Sequence, residues 1–138
     1  MDYKDFKHIV EPGESEKIEF KSSFNHELIE TIVAFSNSTG GKIIVGINQK
    51  KEFIGLVVND ETVQNWVNEI KTKTSPQIIP DVEILEFENK KYLIFSVQEY
   101  PIKPVATRGK YFKRRANSNH LLNTSEVVNL HLQSFNTS

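Results

Sequence analysis

Cysteine is absent from this chain of 138 residues. That excludes a disulfide framework and thiolate metal sites, and with them the usual mark of an oxidising compartment, so a cytoplasmic location is expected. Long apolar runs are missing too: the longest, Ile43 to Ile47, falls far short of a bilayer's thickness. The opening stretch, Met1 to Val10, mixes charged with apolar side chains and has no apolar segment of the signal-peptide kind. No membrane contact is expected. Nor is there a bias toward disorder or a fibrous repeat, since 38% hydrophobic and 25% charged residues lie close to the globular average. The length suits one domain with one core.

One further absence is local. Residues 101–120 contain no acid, yet carry Lys103, Arg108, Lys110, Lys113, Arg114 and Arg115. Residues 1–20 run the other way, with Asp2, Asp5, Glu11, Glu14, Glu16 and Glu19 against three lysines. The net charge of −1 conceals an acidic start and a basic end.

Residues 1–13 read as a lead-in closed by the turn dipeptide Pro12-Gly13, residues 14–135 as the domain, and 136–138 as a frayed tail. Lys17 to Lys21 alternates polar with apolar, which predicts a strand with Ile18 and Phe20 facing the core. Leu28, Ile32 and Phe35, at i, i+4 and i+7, predict a helix that stops at Gly40-Gly41. Lys42 to Ile47 suits a central strand, and Phe53 to Leu56 the second arm of a hairpin. Asn59 or Asp60 can cap a second helix, carrying Val63, Trp66, Val67 and Ile70 and ending before Pro76. Val82 to Phe87 and Tyr92 to Val97 flank a turn at Glu88-Asn89-Lys90, and another strand is expected over Tyr111 to Arg115. Asn123 with Glu126 resembles a capping box for a last helix that uses Val128, Leu132 and Phe135 as its apolar stripe. The expected fold is α+β: a mixed, mostly antiparallel sheet of about six strands with three helices packed on it.

Four pieces stand in order: Glu14-x-x-x-x-Glu19-Phe20-Lys21, Ala34-Phe35-Ser36-Asn37-Ser38-Thr39-Gly40-Gly41, Ile43-Ile44-Val45-Gly46-Ile47 and Ile54-Gly55. This set resembles the Schlafen AlbA-like domain, also called the divergent AAA DNA-binding domain. Pro104 followed by Tyr111 to Arg115 and Ser118 extends the likeness to about residue 120. The resemblance implies an α+β domain of transcription-regulator-like proteins that binds DNA or RNA, with a homodimer as one arrangement. Several Schlafens cleave RNA with three carboxylates, and the first two match Glu14 and Glu19. The third lies just past the strand ending at Ile47, where this chain has Asn48 and Gln49.

The residues themselves support two chemistries. Mg²⁺ or Mn²⁺ would need several oxygen ligands, of which Glu14 and Glu19 are the candidates, with Lys21 placed to stabilise charge on a phosphorane. Asp60 or Asp81 would have to come from elsewhere in the fold to add a ligand. The plainer reading makes Glu19 and Lys21 the solvated face of an edge strand. The basic segment favours binding without catalysis: Lys21, Arg108, Lys110, Lys113, Arg114 and Arg115 can neutralise phosphates, Ser118 and Asn119 can add hydrogen bonds, and a twisted hairpin would show cations on both sides. Binding of this kind requires no cofactor. The plainer alternative pairs the arginines with Glu83, Glu86 or Glu88. The leading expectation is a nucleic-acid-binding module; a Mg²⁺- or Mn²⁺-dependent ribonuclease and a protein-interaction or dimerisation module are the rivals.

Overall fold

The computed structural model describes residues 1–135; the tail expected at 136–138 lies outside the described residues. Its elements are α1 (Tyr3–Val10), β1 (Ile18–Lys21), α2 (His26–Ser36), β2 (Gly41–Val45), α3 (Asp60–Lys73), β3 (Asp81–Phe87), β4 (Lys90–Val97), β5 (Phe112–Arg115), β6 (Ser118–Leu121) and α4 (Thr124–Phe135). The α+β class is as expected, but four helices replace three, and the six strands divide into a four-stranded sheet of order β1-β2-β4-β3 and a separate β5-β6 ribbon. Within the larger sheet, β1 pairs with β2 in parallel across the α2 crossover, and the other pairs are antiparallel.

The additional helix is α1, inside the segment expected to be a lead-in. Asp2 caps it by accepting from the Asp5 N–H at 2.8 Å, and Phe6 and Val10, one turn apart, are buried. They cover the sheet face formed by Phe20, Ile44, Ile47, Leu85, Tyr92 and Ile94. Full burial of a phenylalanine such as Phe6 is worth about 1.5–3 kcal/mol, enough for an eight-residue helix to hold its place through packing. Tyr3, Phe6, Phe53, Phe87 and Tyr92 form a ring cluster there, with centroids 5.1–6.0 Å apart.

The opposite face carries Ile43, Val45, Leu93, Phe95 and Val97 and is covered by α2 and α3, whose caps are Asn25 and Asn59. With both faces covered, β2 is buried throughout Ile43 to Val45, in keeping with its continuous apolar sequence. Ile18 and Phe20 turn toward the α1 face as expected. Glu19 and Lys21 therefore point to the α2 face, which is not solvated: Glu19 is buried although β1 is an edge strand.

Two other expectations are corrected. Phe53 to Leu56 forms no named strand; only isolated bridges join Ile47 to Phe53 and Leu56 to Lys91. On α4 the stripe of Val128, Leu132 and Phe135 is exposed, and Leu130 is the buried residue. The helix is turned so that His131 Nδ1 donates to the Lys103 carbonyl at 2.6 Å, which fixes a different inward face from the one the apolar spacing favours. Its start is as read from the sequence: the Asn123 side chain accepts from the Glu126 N–H at 2.9 Å, and the Glu126 side chain from the Asn123 N–H at 3.0 Å. At the α2–β2 turn, Gly40 has φ +79°, and a Cβ there would lie 2.6 Å from the Val97 carbonyl oxygen, so both conformation and space require glycine.

Candidate nucleic-acid interface

Strand alternation sorts the basic residues of β5. Phe112 and Arg114 face inward and are buried, while Lys113 and Arg115 face outward. The ribbon is thus not exposed on both sides, as a free hairpin would be. Its inner side lies on α2 and the turn that follows. Asn37, at the end of α2, donates from its amide to the carbonyls of Val105 and Phe112, each at 2.9 Å, and accepts from the Val105 N–H at 2.7 Å. The Ser38 hydroxyl accepts from the Arg114 N–H at 2.8 Å. These residues belong to the Ala34 to Gly41 motif, whose polar members anchor Val105, 68 residues on, and β5, 75 to 76 residues on.

The Arg114 side chain is 1% exposed. Its guanidinium donates to the carboxylate of Glu19 at 2.7 Å, to the Ser15 carbonyl at 3.0 Å, the Glu16 carbonyl at 3.2 Å, the Ile18 carbonyl at 3.4 Å and Asn119 Oδ1 at 2.9 Å. Asn119 in turn donates to Thr31 Oγ1 on α2 at 2.8 Å. Lys21 Nζ sits 3.5 Å from the other Glu19 oxygen and 3.6 Å from Glu27. The positions expected to meet phosphate at Lys21, Arg114 and Asn119 are therefore engaged in internal bonds. The acids that meet the arginines are Glu19 and Glu126, not Glu83, Glu86 or Glu88, because those three lie on or just past β3, the far edge of the sheet from β1.

Glu14 and Glu19 do come together. Glu14 Oε2 accepts from the Phe20 N–H at 2.9 Å and from the Gln49 amide at 3.4 Å, and Gln49 also donates to the Phe20 carbonyl at 3.0 Å. Burial pushes the Glu19 carboxyl above its ordinary range, against the pull of the Arg114 hydrogen bond, and nearby Glu14 pushes it further in the same direction. A hard divalent cation wants several oxygens free to turn toward it. Here Arg114 and Lys21 already hold the Glu19 oxygens, the Gln49 amide donates where a third acid would have to accept, and among the described residues no group of three His, Cys, Asp or Glu could hold a metal. The donor set does not fit Mg²⁺ or Mn²⁺.

Of the cations expected to meet phosphate, those left open are Arg108, Lys110, Lys113 and Arg115. Arg108 and Gly109 are the central residues of a tight turn, with φ +50° and +71° and reciprocal hydrogen bonds between Thr107 and Lys110 at 3.0 and 2.9 Å. The positive field at this corner shows in His26: burial lowers its pKa first, and Arg108 lowers it further. Lys103, by contrast, is buried against Glu99 at 2.7 Å. Arg115 is 67% exposed and 3.6 Å from Glu126, and Ser118 is exposed on the turn side of β6. Lys113, Arg115, Asn129, Gln133 and Glu126 line a shallow groove between β5 and α4.

Among curated proteins none matches the chain. Solved structures share its fold, among them two bacterial proteins. The DIP2311 protein of Corynebacterium diphtheriae superposes with a TM-score of 0.67 at 17% identity over 83% of this chain, which spans only 23% of that longer protein. The N-terminal domain of a RecG-related protein of Nitrosomonas europaea superposes with a TM-score of 0.59 at 23% identity, covering 87% of this chain and 92% of that domain. The profile of the family described as Schlafen, AlbA_2 matches residues 14–123, from the half-buried Glu14 to the cap of α4. The chain belongs to the Schlafen AlbA_2 family.

Proposed function

We propose that this domain binds nucleic acid, DNA or RNA, through its phosphate backbone. One observation carries the proposal: the acid-free stretch folds so that Lys113 and Arg115 stand together on the outer face of β5, with Arg108 and Lys110 at the preceding turn. Residues two apart on a strand are about 7 Å apart, so the two β5 cations can meet separate phosphates. Each phosphate neutralised releases condensed counterions, and arginine adds a forked hydrogen bond. The family and the RecG-related neighbour support the same class of ligand. We propose further that the binding serves a longer regulatory protein; the domain's small share of the Corynebacterium chain is compatible with such a module.

Titration of labelled DNA and RNA over a salt series tests this. Affinity should fall linearly on logarithmic axes as salt rises, and Lys113→Ala with Arg115→Ala should weaken it. Absence of binding to either at low salt, or indifference to both substitutions, would overturn it. Ribonuclease action is the competing reading, favoured by the meeting of Glu14 and Glu19 and opposed by the cations that occupy Glu19 and the amides that occupy Glu14. Release of fragments from RNA in Mg²⁺ or Mn²⁺, lost in Glu19→Ala, would establish it.

A further inference from the structure

We infer that Arg114 is a positioning residue for this interface: locked to Glu19 beneath β5, it sets how Lys113 and Arg115 are presented and contacts no phosphate itself. The inference rests on the reading of the ribbon as a nucleic-acid surface. It assigns the buried carboxylate a task other than holding a metal.

The ribbon needs such a lock. Its strands are four residues each, and it shares no ladder with the larger sheet. An isolated two-stranded hairpin is marginal in water, so its orientation depends on side-chain anchors. Asn37 and Ser38 hold its backbone to the end of α2. Among the described residues, Arg114 is the one whose hydrogen bonds tie it to the β1 side: its guanidinium gathers the Ser15, Glu16 and Ile18 carbonyls, Glu19 and Asn119, and packs over the Phe35 ring at 5.0 Å. To reach a phosphate, the guanidinium would have to abandon a buried carboxylate and leave these carbonyls without their donor, the costly direction for a buried pair. Because successive strand residues face opposite ways, fixing Arg114 inward fixes Lys113 and Arg115 outward.

The test compares Arg114→Met, Glu19→Ala and Lys113→Ala in the full chain, by oligonucleotide titration over a salt series and by amide hydrogen exchange. Glu19→Ala discriminates most sharply. Removing an acid ought to strengthen binding to a polyanion if charge alone mattered, whereas loss of the lock weakens it, by about tenfold, with an unchanged salt slope. Lys113→Ala should lower the magnitude of the slope by about 0.9, the signature of one lost phosphate contact. Amides of β5 and β6 should exchange faster in both lock variants while β2 and β4 stay protected. Equal or tighter binding by Glu19→Ala, a slope loss of a full phosphate in Arg114→Met, or unchanged exchange in the ribbon would each overturn the inference. Should β2 and β4 lose protection, Asn119→Ala replaces the lock variants, since it removes one acceptor and the link to Thr31, and the same weakening is required of it. Failure of the wild-type chain to bind would overturn the proposed function instead, and the exchange measurement would still decide whether Arg114 holds the ribbon.

Discussion

Arg114 and Arg115 are consecutive on β5, and each meets a glutamate: Glu19 at 2.7 Å under the ribbon, Glu126 at 3.6 Å on its outer side. The inner pair is enclosed and surrounded by backbone carbonyls; the outer arginine stands largely in solvent, where screening leaves an ion pair with little energy and the cation available to a ligand. Strand alternation alone separates the two fates. The same residue type is an internal fastener in one register and a candidate contact in the next, so a count of cations overstates a binding surface until burial has divided them.

The glutamates differ as the arginines do. Burial holds Glu19 above the ordinary value of 4.5, whereas Glu126 is held below it, first by the Asn123 N–H of the capping box and then by His120. The largest effect that would break the comparison is on stability: Arg114→Met leaves Glu19 buried without its partner and should cost about 3–5 kcal/mol in urea unfolding. Next comes Asn37→Ala, which orphans the Val105 N–H and the Val105 and Phe112 carbonyls and should cost about 2–3 kcal/mol by the same measurement.

A smaller effect separates the glutamates by pH. A raised folded-state pKa means that the stability from the Glu19 carboxyl is complete below 4.5 and declines as pH rises through its folded value. For Glu126 the sign is reversed: its contribution is present above 4.5 and is lost as pH falls through its lowered value. Thermal melts from pH 3 to 8 should therefore show the gap between wild type and Glu19→Ala widening toward acid, and the gap for Glu126→Ala closing. The smallest stability effect belongs to Lys113→Ala with Arg115→Ala, within about 0.5 kcal/mol of wild type, alongside the expected loss of nucleic-acid affinity. A large stability loss from that pair would erase the distinction between the two sides of β5.

Local signals in the sequence located much of this. The periodicity of α2 and α3, the continuous apolar β2, the β3–β4 hairpin and the capping box of α4 are each written in adjacent residues, and the family order pointed to Glu14, Glu19 and the Ala34 to Gly41 turn. What escaped was long-range. The burial of Arg114 depends on Glu19, 95 residues earlier in the chain, and no spacing rule carries that. The role of Asn37 as an anchor was equally hidden, although an asparagine directly after the apolar stripe of α2 was a signal that a buried polar group needed partners. The length of α1, eight residues, made its pattern ambiguous beside the charged residues around it. The outward stripe of α4 misled because apolar periodicity reports which residues share a face and not which face the rest of the protein covers.

The helix α1 bears on how the molecule should be handled. The family match begins at residue 14, after α1 has ended. Phe6 and Val10 seal a cluster that includes Phe20, Ile44, Leu85, Tyr92 and Ile94. A protein trimmed to the matched segment would present that aromatic face to water as a sticky patch, prone to self-association irrespective of any ligand. The stretch defined by common descent and the stretch that must be expressed together are different lengths of chain.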